Sequence, residues 1–341
     1  MPRVIGIDPG TVSIDLCGLD GGTVWLDRSL PTAEALRDPT FLPALLREGG
    51  PPALIAGPSG YGLPLVRADR ATENDLRLAF LAADGNPGGI GGLRQLARLF
   101  AASGLPVVYT PGVVHLPSVP AHRKLNRVDM GTADKVAAAA LGIWDQSRRL
   151  HCDPGDVSFI LLELGGAFSA TLAVGRGAIL DGLGGTSGPM GWQSRGGWDG
   201  EAAFLASPID KEMLFRGGKI DSGAAGLAGY VEAAHKAVLA LTATLPRPQE
   251  ILLSGRHAKD SEVREALEAR LSAIAPVRDL GGFATVSKQG AQGAALIADG
   301  LAGGEHRPLV DLLRLREATG TVLDYLTGID LERARRRIGL V

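Results

Sequence analysis

The chain has 341 residues, 45% of them hydrophobic and 21% charged, which is typical of a globular protein and long enough for two domains. Its formal net charge of −2 offers no basic surface for nucleic acid or for an anionic membrane, so we expect neither as a partner. The 48 glycines have no regular period, which excludes collagen, and many occur in pairs, which indicates loops that approach a ligand closely.

The two cysteines, Cys17 and Cys152, show neither the spacing of metal ligands nor a disulfide framework. The residues ahead of the first predicted strand lack the basic and apolar regions of a signal peptide, and no apolar run reaches the roughly 18 residues that a membrane span needs. We therefore expect a reduced, cytoplasmic protein.

The first predicted element is a β-hairpin over Val4–Asp20, in which two apolar strands flank a turn at Asp8-Pro9-Gly10-Thr11. Backbone N–H groups of Gly10 and Thr11 at the tip of this turn could cradle a phosphate. Asp8 stands at the strand end, where it could hold a hydrated Mg²⁺, an ion that prefers few carboxylates and several waters. Taken alone, the stretch could also be an ordinary hairpin in which Asp8 only begins the turn.

Strands and helices then alternate up to a predicted domain boundary at residues 153/154. Strands are predicted over 23–26, 53–56 and 106–110, and helices over 74–80, 91–102 and 136–144. The last of these helices is rich in alanine and follows Thr132, a good N-cap. Asp129 and Asp134 flank its start, so both could face a ligand.

A basic cluster lies just ahead of this helix and at its beginning. Its members are Arg123, Lys124, Arg127 and Lys135. They could bind an anionic substrate, and the alternative is a solvated charged surface.

The second half opens with a repeat of the first hairpin, over Phe159–Val174. A buried strand ends at Glu163, a turn follows at Gly165-Gly166-Ala167, and a second apolar strand comes next. Two such hairpins, one at the start of each half, indicate a duplicated fold. A long glycine-rich loop over 184–200 carries Arg195, and loops of this length are usually functional.

The rest of the chain is predicted to be mostly helical. A strand over 250–254 ends at Gly255-Arg256, and helices are predicted over 223–245, 261–274, 289–301 and, with a break near Gly320 or Gly328, most of 308–338. Small residues at Gly290 and Gly293 should allow the helix over 289–301 to pack closely on another helix.

Five segments in order resemble the phosphate-1, connect-1, phosphate-2, adenosine and connect-2 motifs of the actin / sugar kinase / heat-shock ATPase superfamily. They are Val4–Asp20, Asp129–Leu141, Phe159–Val174, Ile251–Ala258 and Lys288–Leu301. The second hairpin and the strand after it are most similar to the acetate/butyrate kinase branch. The whole chain is similar in length and layout to a family labelled predicted butyrate kinases.

The resemblance implies an α/β fold of two duplicated ribonuclease-H-like domains, 1–153 and 154–341, with a nucleotide cleft between them. We also expect that the last helix could pack back on the N-terminal domain. The sequence departs from the acyl kinases at three positions. Glu163 stands where they carry His, Asp8 where they carry Asn or a similar residue, and Ala167 where they usually carry Gly.

Site residues follow from the same resemblance. Backbone groups of two turns would bind the phosphates of ATP, with Gly255 and Arg256 beside the adenosine; the turn residues are Gly10, Thr11, Gly165, Gly166 and Ala167. Asp8 and Glu163 would orient Mg²⁺ through water. A hydroxyl acceptor would need Asp129 or Asp134 as general base, whereas a carboxylate acceptor would need Arg195 to bind it.

We therefore expect an ATP-dependent small-molecule kinase, with Mg²⁺, whose acceptor is an organic acid or an alcohol. The resemblance to acyl kinases also suggests a homodimer. The alternatives are an ATPase that acts on a partner protein and a non-catalytic nucleotide-binding protein of the same superfamily.

Overall fold

The structure is a computed structural model that describes residues 1–10, 12–38, 40–57, 59–82 and 90–340. The chain divides into two compact units. Unit 1 comprises Met1–Val128, Thr132–Asp145 and Gly281–Val341, and unit 2 comprises Asp129–Gly131 and Gln146–Leu280. Within the described ranges, no helix is long and apolar enough to cross a membrane.

Eleven strands occur in the part of the chain that the structure describes. They are β1 (Arg3–Pro9), β2 (Ser13–Asp20), β3 (Thr23–Pro31), β4 (Leu54–Gly57), β5 (Val66–Arg67), β6 (Val107–Tyr109), β7 (Ser158–Leu164), β8 (Ser169–Gly175), β9 (Ala178–Leu183), β10 (Glu250–Ser254) and β11 (Val277–Asp279). Both predicted hairpins are therefore confirmed, as β1–β2 and β7–β8.

The α-helices of the same residues are more unequal in length. They are α1 (Thr32–Ala35), α2 (Phe41–Leu45), α3 (Glu73–Phe80), α4 (Ile90–Ala102), α5 (Ala121–Lys124), α6 (Ala133–Leu150), α7 (Gly200–Ala206), α8 (Gly226–Thr242), α9 (Ser261–Leu271), α10 (Gln289–Leu301), α11 (Arg307–Leu312) and α12 (Leu331–Arg337). Short polar side chains cap several of them. Thr72 and Asp75 form a reciprocal capping box at α3, and Asp260 accepts from the Val263 N–H at α9.

The sheet of unit 1 has the order β3-β2-β1-β4-β6-β5. Its first three strands are antiparallel, whereas β1, β4 and β6 run parallel. The sheet of unit 2 has the order β9-β8-β7-β10-β11, again with three antiparallel strands followed by parallel ones. Because the same arrangement occurs twice, the predicted duplicated α/β fold is confirmed.

Successive residues of β1 face opposite sides of the first sheet. Ile5 and Ile7 enter a large core with helices α3 and α4. Gly6 faces the other way, where a Cβ would lie 2.1 Å from the Ala295 N of α10. The absence of a side chain at Gly6 therefore lets α10 lie directly on the strand.

The first turn of α10 comes to the carboxyl end of β1. A Cβ at Gly290 would lie 2.5 Å from Oδ2 of Asp8. On the side of α6, a Cβ at Gly293 would lie 1.8 Å from the Ala137 O, which confirms the predicted close packing of the helix over 289–301. The start of α10 is thus held at the strand end that carries Asp8, and α6 packs directly against α10.

Unit 2 has its own core on one face of its sheet. Ile160 and Leu162 of β7 pack with Tyr230 and Val238 of α8 and with residues of α9. The ends of β7 and β10 that carry Glu163 and Ser254 lie side by side in register.

The prediction of a largely helical segment over 308–338 is wrong. Only α11 and α12 are α-helical there. Between them, Asp324 accepts a hydrogen bond from the Thr321 N–H at 2.8 Å, and Gly320 has a φ of 81°. Val322 and Leu323 then enter a small apolar cluster with Tyr61, and this burial takes the place of helical packing.

Candidate active site

The first glycine turn closes on itself. The Gly10 N–H donates to the Ser13 O at 2.8 Å, and the Thr32 hydroxyl donates to the Gly10 O at 2.8 Å. The Gly10 amide is thus committed to the turn, and its contact with a phosphate stays a prediction. Thr11, the other predicted phosphate ligand of this turn, lies outside the described residues.

The second glycine turn has the same hydrogen bond at the equivalent position. The Gly165 N–H donates to the Phe168 O at 3.0 Å. A Cβ at Gly166 would meet no atom within 4 Å, so this residue borders open space. The Ala167 O accepts from the N–H groups of Gln193 and Ser194 at 3.0 and 3.1 Å, which anchors the glycine-rich loop that follows β9.

Glu163 precedes the second turn by two residues, as Asp8 precedes the first. Its carboxylate lies against two glycines, because a Cβ at Gly165 or at Gly255 would stand 3.1 or 2.9 Å from its Oε1. Gly255 also has a φ of 89°, a conformation that L side chains rarely adopt. The structure therefore brings Glu163, Gly165 and Gly255 together within unit 2.

The pKa of Asp8 is strongly shifted. Burial raises its pKa to about 7, and the negative charge of Asp134 adds to the rise, while Lys288 and Lys135 oppose it. The structure thus brings together two predicted site residues, Asp8 and Asp134, that lie far apart in the sequence.

The pKa of Asp134 shifts in the opposite direction. Burial acts against its ionisation, but the Lys135 ammonium at 2.5 Å and a hydrogen bond from the Thr132 hydroxyl hold its pKa below the ordinary value. Two neighbouring carboxyls with pKa values driven apart are typical of functional sites, because one of them carries the charge and the other the proton.

Asp129 belongs to unit 2 and is 5% exposed. Its Oδ1 accepts from the Gly131 N–H at 3.0 Å, and its Oδ2 accepts from the N–H and the hydroxyl of Thr186 at 3.2 and 3.3 Å. These hydrogen bonds fix the start of the glycine-rich loop. Its predicted role as a base stays a prediction.

Arg195 lies within the same loop, half-buried. Its Nε donates to the Arg216 O at 3.4 Å, and its guanidinium lies 3.9 Å from the centre of the Trp198 ring. Stacking on an aromatic face leaves the edge of a guanidinium able to bind an anion. The structure does not show it in contact with the second turn.

A ring stack beside the second turn was missed at the sequence level. The rings of Trp192 and His257 are 3.6 Å apart and 5° from parallel, and the Lys219 Nζ lies 4.0 Å from the centre of the Trp192 ring. Burial lowers the pKa of His257, and the exposed Arg256 next to it contributes, while a hydrogen bond to the Gly166 backbone opposes the shift. The only sequence signal was the position of His257 just after Gly255-Arg256.

Members of the basic cluster near α6 do not all face water. Lys124 is 4% exposed, and its Nζ donates to the Leu116 O at 2.9 Å and lies 5.1 Å from the centre of the Tyr325 ring. Burial lowers its pKa. Lys124 therefore lies in the interior of unit 1, so the interpretation as a solvated surface charge is wrong for this residue, whereas anion binding by it stays a prediction.

His115 lies in the same region and is 2% exposed. Burial lowers the pKa of His115 to about 4, and the charge of Lys124 lowers it further. A hydrogen bond with the Gly112 backbone and the charge of Asp324 oppose this shift. The imidazole is therefore neutral at physiological pH.

A hydrated Mg²⁺ is compatible with the acids at the strand ends. In the described residues, no three His, Cys, Asp or Glu side chains form a group that could hold a metal ion. Mg²⁺ needs less than such a cage, because it keeps several waters and takes one or two carboxylates together with substrate phosphates. The repulsion between Asp8 and Asp134 is also the kind that a nearby cation relieves.

Comparison with known proteins gives one family match, and no curated protein matches the sequence. The profile of a family described as "Protein of unknown function (DUF1464)" matches residues 6–328.

Several solved structures are similar in fold. A propionate kinase from Francisella tularensis subsp. tularensis is 11% identical, with a TM-score of 0.58 over 86% of this chain and 99% of that one. An acetate kinase from Entamoeba histolytica is 10% identical, with a TM-score of 0.53 over 80% and 87%. One from Porphyromonas gingivalis is 15% identical, with a TM-score of 0.51 over 80% and 88%. These likenesses confirm the predicted fold.

Proposed function

We propose that this chain, which belongs to the DUF1464 family, transfers a phosphoryl group from ATP to an oxygen atom of a small organic acid or alcohol. The observation that carries the proposal is the pair of acid-tipped glycine turns. Each turn ends the same strand of a repeated sheet and closes the same backbone hydrogen bond. Phosphoryl transfer requires mainly positioning and neutralisation of charge, which such turns can supply.

In this proposal each turn binds phosphate oxygens of ATP. The residues concerned are Gly10 and Thr11 in unit 1 and Gly165, Gly166 and Ala167 in unit 2, with Gly255 and Arg256 beside the adenosine. Asp8 and Glu163 would hold Mg²⁺ through water, and the ion, when bound, would supply positive charge that neutralises the phosphates. Cytoplasmic location and a homodimer stay predictions.

The acceptor oxygen attacks the γ-phosphorus, the bond to the β,γ-bridging oxygen breaks, and ADP leaves with the electron pair. For an alcohol, the hydroxyl proton passes to a carboxylate, either Asp134, which Lys135 keeps ionised, or Asp129. For an organic acid no base is needed because the nucleophile is already charged, and Arg195 binds the carboxylate instead.

The test begins with calorimetric titration of ATP and ADP in the presence of Mg²⁺. A coupled assay then follows ADP release over a panel of organic acids and alcohols. Trapping with hydroxylamine distinguishes an acyl phosphate, which forms a hydroxamate, from a phosphate ester, which does not. We expect nucleotide binding and acceptor-dependent release of ADP.

Matched variants relate the activity to the turns. Asp8→Ala and Glu163→Gln should each reduce turnover at least about 100-fold, because each removes a carboxylate that would hold the charge-neutralising Mg²⁺. The controls are Asp20→Ala, at the far end of the same first hairpin, and Glu262→Gln, on the exposed face of α9. Loss of activity in the controls to the same degree would contradict the assignment.

The two acceptor classes predict different sensitive residues. With an alcohol, Asp134→Asn or Asp129→Asn should lower kcat, whereas with an organic acid Arg195→Met should raise KM. Release of ADP without any acceptor would favour an ATPase that acts on a partner protein. Tight binding of ATP with no release of ADP would favour a non-catalytic protein, and absence of nucleotide binding would refute the proposal.

A further inference from the structure

The side chain of Lys288 reaches the first glycine turn from the start of α10. Its Nζ lies 2.7 Å from the Ser13 Oγ and 2.9 Å from the Asp15 Oδ2. A Cβ at Gly10 would stand 3.2 Å from the same nitrogen. The ammonium therefore lies against the turn that precedes it in the chain by more than 270 residues.

The backbone ahead of Lys288 is held by a single carboxylate. Asp27 of β3 accepts hydrogen bonds from the N–H groups of Thr285, Val286 and Ser287 at 2.9, 2.9 and 2.7 Å. These bonds fix the three residues just before Lys288. Its side chain consequently starts from a preset position, which reduces the entropy cost of placing the ammonium.

Lys288 has a structural role, because it pairs with the buried carboxylate of Asp15. Asp15 is 1% exposed, and its Oδ2 accepts from both the Ser13 hydroxyl and Lys288. Its Oδ1 has no hydrogen-bond partner among the described residues. A buried carboxylate of this kind needs a cation, so Lys288 has a structural role.

The Lys288 side chain is nevertheless 45% exposed, although its partner is buried. An ammonium has three N–H donors, and among the described residues Ser13 and Asp15 accept two of them. The Gly10 N–H is meanwhile committed to the Ser13 O. Lys288 is thus a positive group at this turn with donor capacity that its structural role does not use.

We propose that Lys288 binds a phosphate oxygen of the nucleotide at the first glycine turn, while Asp15 and Ser13 hold its ammonium in place. This inference rests on the proposed function, because it assigns a residue to the same nucleotide site. No covalent step is involved. Lys288 supplies positive charge where phosphate charge must be neutralised.

Calorimetry with ATP, ADP and adenosine, on the full chain with Mg²⁺, tests the assignment. Lys288→Ala should weaken ATP and ADP binding about 10- to 100-fold and leave adenosine binding unchanged, because only the phosphates lose a charged hydrogen bond. Lys288→Arg should restore binding to within about threefold, since it keeps the charge. Lys236→Ala, on the exposed face of α8, is the matched control and should bind all three ligands as the wild type does.

A second variant distinguishes loss of phosphate binding from loss of folding, because Lys288→Ala leaves the buried Asp15 without its cation. The double variant Asp15→Asn/Lys288→Met removes both charges and should show the same selective loss of ATP and ADP. Equal weakening of adenosine and ADP, with a lowered Tm, would show that Lys288 is only structural. Wild-type affinity for ATP in both Lys288→Ala and the double variant would overturn the inference alone, whereas a wild-type protein that binds no nucleotide would overturn the proposed function as well.

Discussion

Replacing Gly293 with alanine tests the packing of α10 that positions the first half of the site. A Cβ at this position would lie 1.8 Å from the Ala137 O and 2.4 Å from the Ala137 carbonyl carbon, both backbone atoms of α6. Non-bonded carbon contacts need about 3.5 Å, so the two helices would have to separate by more than about 1 Å. Residues 290–300 of α10 are all buried, so the helix has no open side toward which it could move.

The expected effect can be estimated from two opposing contributions. Alanine in place of glycine inside a helix gains about 0.5–1 kcal/mol. Overpacking of a core costs about 1–3 kcal/mol, and more where backbone must move. Because backbone atoms are contacted, we take the upper end of the cost and expect Gly293→Ala to destabilise unit 1 by about 2 kcal/mol net, which corresponds to a fall in Tm of roughly 4–8 °C.

Thermal unfolding followed by circular dichroism measures this effect, and Gly229→Ala provides the control. Gly229 is also inside a helix, but its Cβ would make only ordinary contacts with Met190, at 3.7 and 3.8 Å. The control should keep or raise the Tm by about 1–4 °C, because only the helix-propensity gain applies. A Gly293→Ala protein whose Tm stays within about 2 °C of the wild type would refute the packing argument.

Three further predictions concern buried polar groups. The pKa of Asp27 is lowered to about 2, because hydrogen bonds from residues 285–287 outweigh the opposing effect of burial. Asp27→Asn should therefore lower the free energy of unfolding in urea at pH 7 by about 1–2 kcal/mol. This difference should be present above about pH 4 and lost as the pH falls toward 2. Equal stability at pH 7 would contradict this. The Glu250 side chain is 7% exposed and forms ion pairs with Arg149 and Arg278. Glu250→Ala should lower the free energy of unfolding in urea by about 2–4 kcal/mol, less than for a fully buried pair because both guanidinium groups reach water. A loss below about 1 kcal/mol would contradict this prediction. Burial lowers the pKa of His115 to about 4, so the unfolded chain binds the extra proton, and this residue should contribute a rise in stability of about 3 kcal/mol from below pH 4 to above pH 6.5. Urea unfolding of wild type and His115→Gln measures this contribution as the difference between their two slopes, because Asp8, with a pKa raised to about 7, contributes an opposite slope to both proteins. Equal slopes would exclude His115 as a source.

Local signals in the sequence predicted most of the fold. Both hairpins, the strand over 250–254 and α10 occur where apolar periodicity and glycine turns placed them. The segment over 308–338 was mispredicted because Val322, Leu323 and Leu326 have an apolar spacing that suits a helix, whereas the burial of Val322 and Leu323 against Tyr61 depends on a distant segment. The predicted domain boundary at 153/154 stays a prediction.

The residues of the candidate site also fall into two groups, those predictable from the local sequence and those placed by long-range contacts. Asp8 and Glu163 could be proposed from sequence because each stands next to a glycine turn at the end of an apolar run. Lys288 and His257 could not, since each reaches a turn that lies far from it in the chain. Nor could the pKa of Asp8 be anticipated, because it depends on burial and on the charge of Asp134.

By itself, the sequence determined the repeated strand–turn–strand units, the acids beside them and the small residues that permit close helix packing, because these depend on neighbouring residues and on period. Only the tertiary structure decided that the whole of residues 281–341, rather than a last helix alone, belongs to the first unit, that Lys288 lies at the first turn and that Lys124 is buried. Such features depend on contacts between residues distant in the chain, and neither composition nor periodicity records those contacts.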